Sequence, residues 1–379
     1  MKVYLDNAAT TQIDQEVLQT MFSVMENHYG NPSSIHSHGR EVRTLVEKAR
    51  KSVAGILKTA PANIFFTSGG TEADNMAIIC AIEDFGIKHA ITSKIEHHAV
   101  GHTLVHLEQQ GKIKLSYVDV DAKGNIDYNQ LAELLKDNER SLVSLMQANN
   151  ELGTLTDIEK VGEICEQYDA IFHSDTVQTM GHYTHDLSKL KAHFVVCAAH
   201  KLHGPKGVGF LYVNPSIKIK PMIFGGSQER NMRGGTENVY GIVGLSKALE
   251  IAYADMEGHH NHIQDLKSYM KQELQKAIPE IGFNGETDAD KSLYTVLSVC
   301  FPKMEMADML LFNLDINGIS ASGGSACSSG SNIGSHVLTA IGADPERPSV
   351  RFSFSKFNKK EEIDFVVAKV KEVFAPSLV

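Results

Sequence analysis

Two side chains that together suit cofactor chemistry follow neighbouring β-rich runs of the sequence. Asp175 comes directly after the run Ala170–Ser174, and Lys201 follows the run His193–Ala198. Because ligands of open α/β sheets bind beyond the carboxyl ends of the strands, both side chains are expected at one site. Pyridoxal phosphate (PLP) needs a lysine for a Schiff base and an acid on its pyridine nitrogen. A buried ion pair is the alternative, and this pattern alone leaves both interpretations open.

A glycine-containing turn supplies a candidate phosphate site. The segment Thr67–Glu72 (TSGGTE) follows the run Ile64–Phe66 and opens a predicted helix. Backbone N–H groups and the positive end of a helix can hold a phosphate there. The turn matches neither the dinucleotide nor the triphosphate signature, so those ligands are poorly supported. The alternative is that Thr71 only caps the helix.

One cysteine lies in a low-complexity segment. Eight of the ten residues from Ser322 to Ser331 are glycine or serine, and Cys327 lies among them. Such a stretch is either a plain linker with a chance cysteine or a flexible segment that carries a nucleophile. The remaining cysteines fall in predicted helices or strands and are expected to be inert core thiols: Cys80, Cys165, Cys197 and Cys300.

The 18 histidines raise the question of a metal site. His98, His102 and His106 are spaced to share one face of a helix, and zinc can use a pair of that kind. No cysteine or acid at matching spacing completes the site. A polar helix face is therefore the favoured interpretation, and no metal is predicted.

The elements that must position these side chains alternate between strands and helices. This alternation predicts crossover units and a mainly parallel sheet that is covered by helices on both faces. An amphipathic helix from Val42 to Leu57 precedes the sheet, and helical spacing from Leu245 to Ile278 is long enough to link two domains. The predicted strands are Ile64–Phe66, His89–Thr92, Ile113–Val118, Ser141–Met146, Ala170–Ser174, His193–Ala198 and Val208–Val213.

A smaller set of elements follows the long helical stretch. The sequence predicts a strand at Leu293–Phe301, a helix at Met306–Leu314, a strand at Val350–Phe354 and a last helix at Glu361–Phe374. We therefore predict a large α/β domain of residues 15–255. Residues 1–14 and 256–379 should form a small α+β domain that contains the cysteine segment, at about 322–333.

Composition narrows the class of protein. The chain has 379 residues, and its formal net charge of −10 argues against a general nucleic-acid binder. No apolar run approaches the roughly 18–20 residues of a membrane span, and the N-terminal residues do not resemble a signal peptide. Five widely spaced cysteines without a CxxC pair argue against a disulfide framework and favour a reducing, cytoplasmic location.

Taken together and in order, ten short motifs resemble the NifS/IscS-type cysteine desulfurases of the class V aminotransferase superfamily. The resemblance covers essentially the full length and implies PLP-dependent fold type I, with a mainly parallel seven-stranded sheet in the large domain and a smaller α+β C-terminal domain. The motifs lie at Tyr4–Thr11, Gly30–His36, Thr67–Glu72, Glu96–Val100, Asn149–Gly153, His173–Gln178, His200–Lys201, Arg233–Asn238, Ser325–Cys327 and Arg351–Ser353.

The resemblance implies a role for each cofactor residue. Lys201 should form the Schiff base, Asp175 should pair with the pyridine nitrogen, Gln178 should contact the phenolic oxygen, and His97 should stack on the ring and move protons. The phosphate is expected to lie on the remaining residues of the set: Gly70, Thr71, His200 and, reaching in from a partner subunit, Thr236.

The resemblance also implies the substrate site and the nucleophile. Asn150, which also borders the cofactor, and Arg351 should hold the substrate carboxylate, Arg351 through a bidentate pair. Cys327 should be the nucleophile that takes the sulfur. One departure is Ala198, which stands where the family commonly has a serine that contacts the phosphate, so one phosphate contact is in doubt.

The implied activity is conversion of L-cysteine to L-alanine, with the sulfur held as a persulfide on Cys327. A homodimer and sulfur-acceptor proteins for iron–sulfur assembly or thiolation are the implied partners. The chain continues only shortly past its last predicted helix, so an iron–sulfur scaffold that docks on a longer tail is less certain. The alternatives are a selenocysteine lyase, a cysteine sulfinate desulfinase, or a PLP-binding sulfur-relay scaffold without turnover.

Overall fold

The computed structural model describes residues 1–138, 140–304, 309–323 and 334–374. Its strands are Val3–Tyr4 (β1), Ile64–Thr67 (β2), His89–Ser93 (β3), Lys114–Val118 (β4), Ser141–Ser144 (β5), Ile171–Asp175 (β6), Phe194–Ala198 (β7), Gly209–Val213 (β8), Gly282–Asn284 (β9), Val296–Cys300 (β10), Ile319–Ser320 (β11) and Ser349–Ser353 (β12). Its helices are Gln15–Asn27 (α1), Ser37–Ile56 (α2), Gly70–Phe85 (α3), His98–Gln109 (α4), Tyr128–Lys136 (α5), Ile158–Gln167 (α6), the short Gln228–Asn231 (α7), Val239–Ala254 (α8), Met256–Ala277 (α9), Leu310–Ile316 (α10), His336–Ala340 (α11) and Lys360–Phe374 (α12).

A seven-stranded sheet forms the centre of the molecule, in the order β2-β8-β7-β6-β5-β3-β4. Strand β8 runs antiparallel to both of its neighbours, and the other pairs are parallel. Most residues of these strands are buried, as expected for a sheet covered on both faces. Two apolar clusters cover those faces, one built with α2, α5, α6 and α8 and the other with α3 and α4. The predicted mainly parallel α/β sheet is confirmed.

The strand directions bring the predicted site residues to one edge of this sheet. Strand β6 ends at Asp175, and β7 ends at Ala198, from which a single 3-10 turn leads to Lys201. Strand β2 runs in the same direction as β7, because β8 lies antiparallel between them. The start of α3, separated from the end of β2 by two residues, therefore lies at the same edge.

Helix α3 begins differently from the capping alternative considered for Thr71. The N-cap residue is Gly69, which has no side chain, and Thr71 lies within the first turn. The interpretation of Thr71 as a helix cap is therefore wrong. Gly69 has a φ of 152°, a backbone conformation that favours glycine, so the tight turn into α3 requires a glycine here.

A second, smaller sheet lies in the C-terminal part of the chain. Strands β12, β10 and β9 form an antiparallel sheet, and β1 pairs with β11. Helices α9, α10 and α12 pack on these strands in a separate apolar cluster, in which Val3 and Leu5 of the N-terminal segment are also buried. The break between α8 and α9 falls at Asp255. The domain limits given above stay a prediction.

Element bounds differ from the sequence prediction in several places. The helix expected at Met306–Leu314 is observed as Leu310–Ile316, with residues 305–308 outside the described part of the chain. The strand expected at Leu293–Phe301 is confined to Val296–Cys300.

Among the described residues, no helix combines the length and the apolar character that crossing a bilayer would require.

Candidate active site

A cavity of about 240 Å³ opens at the carboxyl edge of the central sheet. Strand ends, the start of α3 and the start of α4 line it, together with residues 8 and 9 and strand β12. The cavity brings together nine of the predicted site residues: Gly70, Thr71, His97, Asn150, Asp175, Gln178, His200, Lys201 and Arg351.

The amine of Lys201 is held by backbone carbonyl oxygens of the N-terminal segment. Its Nζ donates to the backbone oxygens of Ala8 at 2.5 Å and Ala9 at 2.8 Å. Gln178 also donates to Ala8 O, at 3.1 Å. The N-terminal segment thus forms one wall of the cavity and holds the Lys201 amine at a defined position beside Gln178.

Asp175 is a buried carboxylate at the end of β6. One of its oxygens, Oδ1, accepts from the backbone N–H of Val177 at 2.9 Å. Burial raises the pKa of Asp175, whereas His97, the Val177 N–H and Lys201 lower it. The low polarity of this position makes an unpaired carboxylate costly, so Asp175 suits a positively charged partner within the cavity.

His97 caps helix α4 with its ring. The ring nitrogen Nδ1 accepts from the backbone N–H of Ala99 at 3.2 Å, which leaves the proton of the neutral ring on Nε2. Burial lowers the pKa of His97, and the nearby Lys201 and His336 lower it further, against the opposing effect of Asp175. The structure thus favours a neutral His97 whose proton lies on the nitrogen that does not serve the cap.

The start of α3 forms the candidate phosphate corner. A Cβ on Gly70 would lie 2.9 Å from Cγ2 of Val177 and 3.6 Å from Cβ of Ala198, so only glycine fits here without a shift. His200 lines the same cavity, and its Nδ1 lies 3.3 Å from Oγ1 of Thr10. Burial lowers the pKa of His200 to about 4, and Lys201 and Lys206 act in the same direction.

Arg351 is a buried cation on strand β12. Its NH1 donates to the backbone oxygen of Asn150 at 2.9 Å, and its NH2 donates to Oδ1 of Asp6 at 2.8 Å. Its Nε is buried and has no acceptor among the residues that the structure describes. An unsatisfied buried donor is costly, so this N–H suits an acceptor from a ligand.

Sequence reasoning missed Asp74, which lines the cavity beside Asp175. Its Oδ1 lies 3.3 Å from Nε2 of His173, and both side chains are almost fully buried. Burial raises the pKa of Asp74 well above its ordinary value, and Asp175 and Glu96 add to this effect. The spacing of Asp74 could have pointed to the cavity, because Asp74 follows Thr71 by three residues and therefore lies on the same face of helix α3.

Comparison with known proteins places the chain in a family. The model of the class-V aminotransferases matches residues 3–366. The chain belongs to the class-V aminotransferase family. It is 42% identical to the cysteine desulfurase IscS of Methanosarcina thermophila, over 98% of this chain and 91% of that protein, and 41% identical to the IscS of Dictyoglomus turgidum, over 98% and 94%.

Solved structures agree with this family assignment. A NifS-like protein superposes with a TM-score of 0.91 at 36% identity, over 99% of this chain and all of that chain. A structure described as SspA in complex with cysteine superposes with a TM-score of 0.80 at 32% identity, over 95% and 100%. The expected resemblance to the NifS/IscS group is confirmed, and so is the fold type.

Class-V aminotransferases use PLP, and the cavity of this family member fits that cofactor. An amine just beyond the end of β7 and a buried carboxylate at the end of β6 line the same cavity, and Gly70 has no Cβ to press on Val177 at the start of α3. Lys201 would hold the aldehyde carbon, Asp175 the ring nitrogen, and the first turn of α3 the phosphate. The donor set therefore matches the cofactor of the family.

The nine residues do not include Thr236 and Cys327. Thr236 is exposed and lines a separate cavity of about 110 Å³ with Arg233 and Asn238. Cys327 lies outside the described residues. Of the described thiols, Cys80, Cys165 and Cys197 are buried, and burial raises their pKa values, whereas Cys300 is only partly buried.

Potential metal ligands occur together only within the cofactor cavity, as far as the described residues go. Asp74, His97 and Asp175 bring ligand atoms within 4.8 Å of one another. Helix α4 carries His98, His102 and His106, and the rings of His98 and His102 stack with centroids 4.5 Å apart.

Proposed function

We propose that this protein is a cysteine desulfurase, which converts L-cysteine to L-alanine and keeps the sulfur as a persulfide on Cys327. The observation that carries the proposal is one cavity in which Lys201, Asp175 and Arg351 converge. An amine, an acid and a guanidinium at one site suit PLP chemistry on an amino acid. The names of the relatives and the cysteine complex of SspA support cysteine as the substrate.

Bound PLP supplies an electron sink that makes the Cα–H bond of an amino acid acidic. Lys201 is the base that removes this proton. Its amine lies just beyond the carboxyl end of β7, where the carbonyl oxygens of Ala8 and Ala9 hold it. Asp175 would hold the ring nitrogen of the cofactor and keep it protonated. His97, with its proton on Nε2, acts as the proton donor beside Asp175, because ligand atoms of the two side chains lie within 4.8 Å of each other.

Arg351 and Asn150 hold the substrate carboxylate. The unsatisfied Nε of Arg351 supports this role, because a carboxylate is an acceptor of matching charge and shape. With the carboxylate fixed, the amino group of the substrate can face Lys201.

The sulfur transfer is a displacement at the sulfur of the substrate. The thiolate of Cys327 attacks that sulfur, so an S–S bond forms while the C–S bond breaks. The electron pair of the broken bond remains with the carbon fragment, which takes up a proton and leaves as L-alanine. The reaction therefore consumes L-cysteine and one thiol and forms L-alanine and one persulfide, and it needs no added oxidant or reductant.

The test combines product formation with a map of the cofactor link. Purified protein should release L-alanine from L-cysteine, and borohydride reduction should fix the cofactor onto Lys201. Lys201→Ala should lose both results, whereas the matched control Lys206→Ala, an exposed lysine five residues on, should keep both. An adduct on another lysine would contradict the site. Release of alanine from L-selenocysteine or cysteine sulfinate, with none from L-cysteine, would favour the alternative activities.

We further propose that the protein acts as a homodimer. Thr236 is exposed and lies outside the cofactor cavity of its own protomer. Two large apolar side chains are exposed nearby, Phe224 (84% exposed) and Ile35 (87% exposed). The segments that carry them are in contact, because Gln228 donates to Oγ of Ser33. A second copy of the chain would cover these side chains and receive Thr236 at its phosphate corner.

The persulfide on Cys327 would then pass to an acceptor protein. Iron–sulfur assembly and thiolation of tRNA or cofactors are the proposed uses, and the names of the IscS relatives favour the first. A cytoplasmic location fits cysteines that remain reduced.

A further inference from the structure

We propose that Asp6 is a positioning residue, which fixes the guanidinium of Arg351 for the carboxylate of the substrate. This inference rests on the proposed function. It concerns a side chain to which the desulfurase chemistry itself gives no role.

Asp6 provides the one carboxylate that contacts Arg351 among the described residues. Its Oδ1 accepts from NH2 of Arg351 at 2.8 Å. The side chain of Arg351 is only 2% exposed, so few water molecules can replace this contact. A buried cation without its partner is strongly disfavoured, and the pair therefore restricts where the guanidinium can lie.

The contacts of Arg351 leave one guanidinium nitrogen, Nε, without a partner among the described residues. NH1 is held by the backbone oxygen of Asn150 and NH2 by Asp6, whereas Nε has no acceptor among the described residues. Two fixed acceptors define the plane of the guanidinium. Asp6 and Asn150 thus keep the side chain in one orientation before the substrate arrives, and binding does not have to order it.

Asp6 is itself held in place from two sides. The same Oδ1 accepts from Oγ of Ser322 at 2.7 Å, and the backbone of Asp6 bridges to Ser353. Ser322 and Arg351 also exchange two backbone hydrogen bonds, of 2.7 and 3.3 Å. The carboxylate of Asp6 therefore joins the N-terminal segment, strand β12 and Ser322 at the substrate end of the cavity.

Two opposing effects decide what loss of Asp6 does. Removal of a negative charge beside Arg351 would strengthen the attraction of the guanidinium for any carboxylate, whereas loss of the fixed orientation would weaken binding. Asparagine keeps an acceptor oxygen but not the charge, so its bond to NH2 should be weaker than the charge-assisted bond of 2.8 Å that Asp6 makes, and we expect the loss of orientation to dominate.

The experiment compares Asp6→Asn with a matched control, Asp14→Asn, in PLP-loaded protein. Like Asp6, Asp14 lies near the N-terminus and pairs with a cation from the C-terminal part of the chain, because Nζ of Lys356 lies 2.6 Å from its carboxylate. Asp14 does not line the cofactor cavity. For Asp6→Asn we expect the KM for L-cysteine to rise roughly three- to tenfold, the range for loss of one ordered side chain. The kcat should stay within about twofold of the wild type.

A ligand without a carboxylate separates positioning from general damage. Cysteamine is L-cysteine without its carboxylate, so its inhibition constant should be the same for Asp6→Asn and the wild type. Asp14→Asn should change neither constant. An unchanged or lower KM in Asp6→Asn, or an equal loss of affinity for cysteamine, would overturn the role of Asp6. A wild type that releases no alanine from L-cysteine would instead overturn the proposed function.

Discussion

At the scale of single residues, Ala198 is the departure with the clearest consequence. It lines the cofactor cavity and is 1% exposed, at the place where the family commonly offers a hydroxyl to the phosphate. A hydrogen bond to a charged group contributes about 1.5–3 kcal/mol. We therefore expect Ala198→Ser to tighten the binding of PLP to the apoprotein, measured by equilibrium dialysis.

Ala198→Val is the control for this prediction, because it adds bulk without a hydroxyl and should weaken PLP binding. If Ala198→Ser leaves the dissociation constant unchanged or raises it, the account of a missing contact fails.

The role of a residue was predictable from the sequence where the neighbouring residues of one short motif also determine the position of its side chain. Asp175 and Lys201 each follow a strand, so their place at the sheet edge follows from topology. The contact of Asp6 with Arg351 joins residues 345 positions apart, and only the folded chain brings them together. Asp74 was missed for a similar reason, because its burial depends on how α3 packs on the sheet.

At the scale of elements, Gly209 allows the turn before α3 to approach strand β8. A Cβ on Gly209 would overlap the carbonyl oxygen of Cys197 and lie 3.0 Å from the backbone of Gly69. Gly209→Ala should therefore lower the free energy of unfolding by about 1–3 kcal/mol and weaken PLP binding. Urea unfolding and equilibrium dialysis measure the two effects.

The matched control is Gly101→Ala in helix α4, where a Cβ would meet nothing within 4 Å. Alanine is the better helix former, so this variant should be about 0.5–1 kcal/mol more stable than the wild type. Equal stability of Gly209→Ala and the wild type would refute the close approach at β8.

Elements with a strong internal pattern were predictable, and those that depend on a partner were not. Helix α2 follows from its apolar spacing, and the β-rich runs of the central sheet from their composition. Strands β1 and β11 have two residues each and exist only because they pair with each other. The antiparallel direction of β8 could not be read from the sequence, because no local pattern encodes it.

At the scale of the whole molecule, the proposed homodimer has a direct test. Light scattering should give twice the mass of the chain for the wild type. Because Phe224 and Ile35 lie beside the segment of Thr236, Phe224→Asp with Ile35→Asp should shift the protein towards monomer and weaken PLP binding. The control Phe312→Asp alters an exposed phenylalanine (55%) on α10 and should leave the dimer intact. A monomeric wild type with full activity would contradict the proposal.

The arrangement of the whole chain was predictable in outline. The mainly parallel sheet and the later antiparallel elements follow from the order of strands and helices. Residues 3–5 pack against the C-terminal elements, a contact that their own short pattern cannot show.

The sulfur on Cys327 is the most direct test of the desulfurase account. After incubation with L-cysteine, mass spectrometry of the digested wild type should show one extra sulfur atom on the peptide that contains Cys327, removable by a reductant. Cys327→Ala should bind PLP normally, carry no extra sulfur and release almost no alanine. Sulfur on Cys80, Cys165, Cys197 or Cys300 instead, or alanine release by Cys327→Ala at the wild-type rate, would contradict the account.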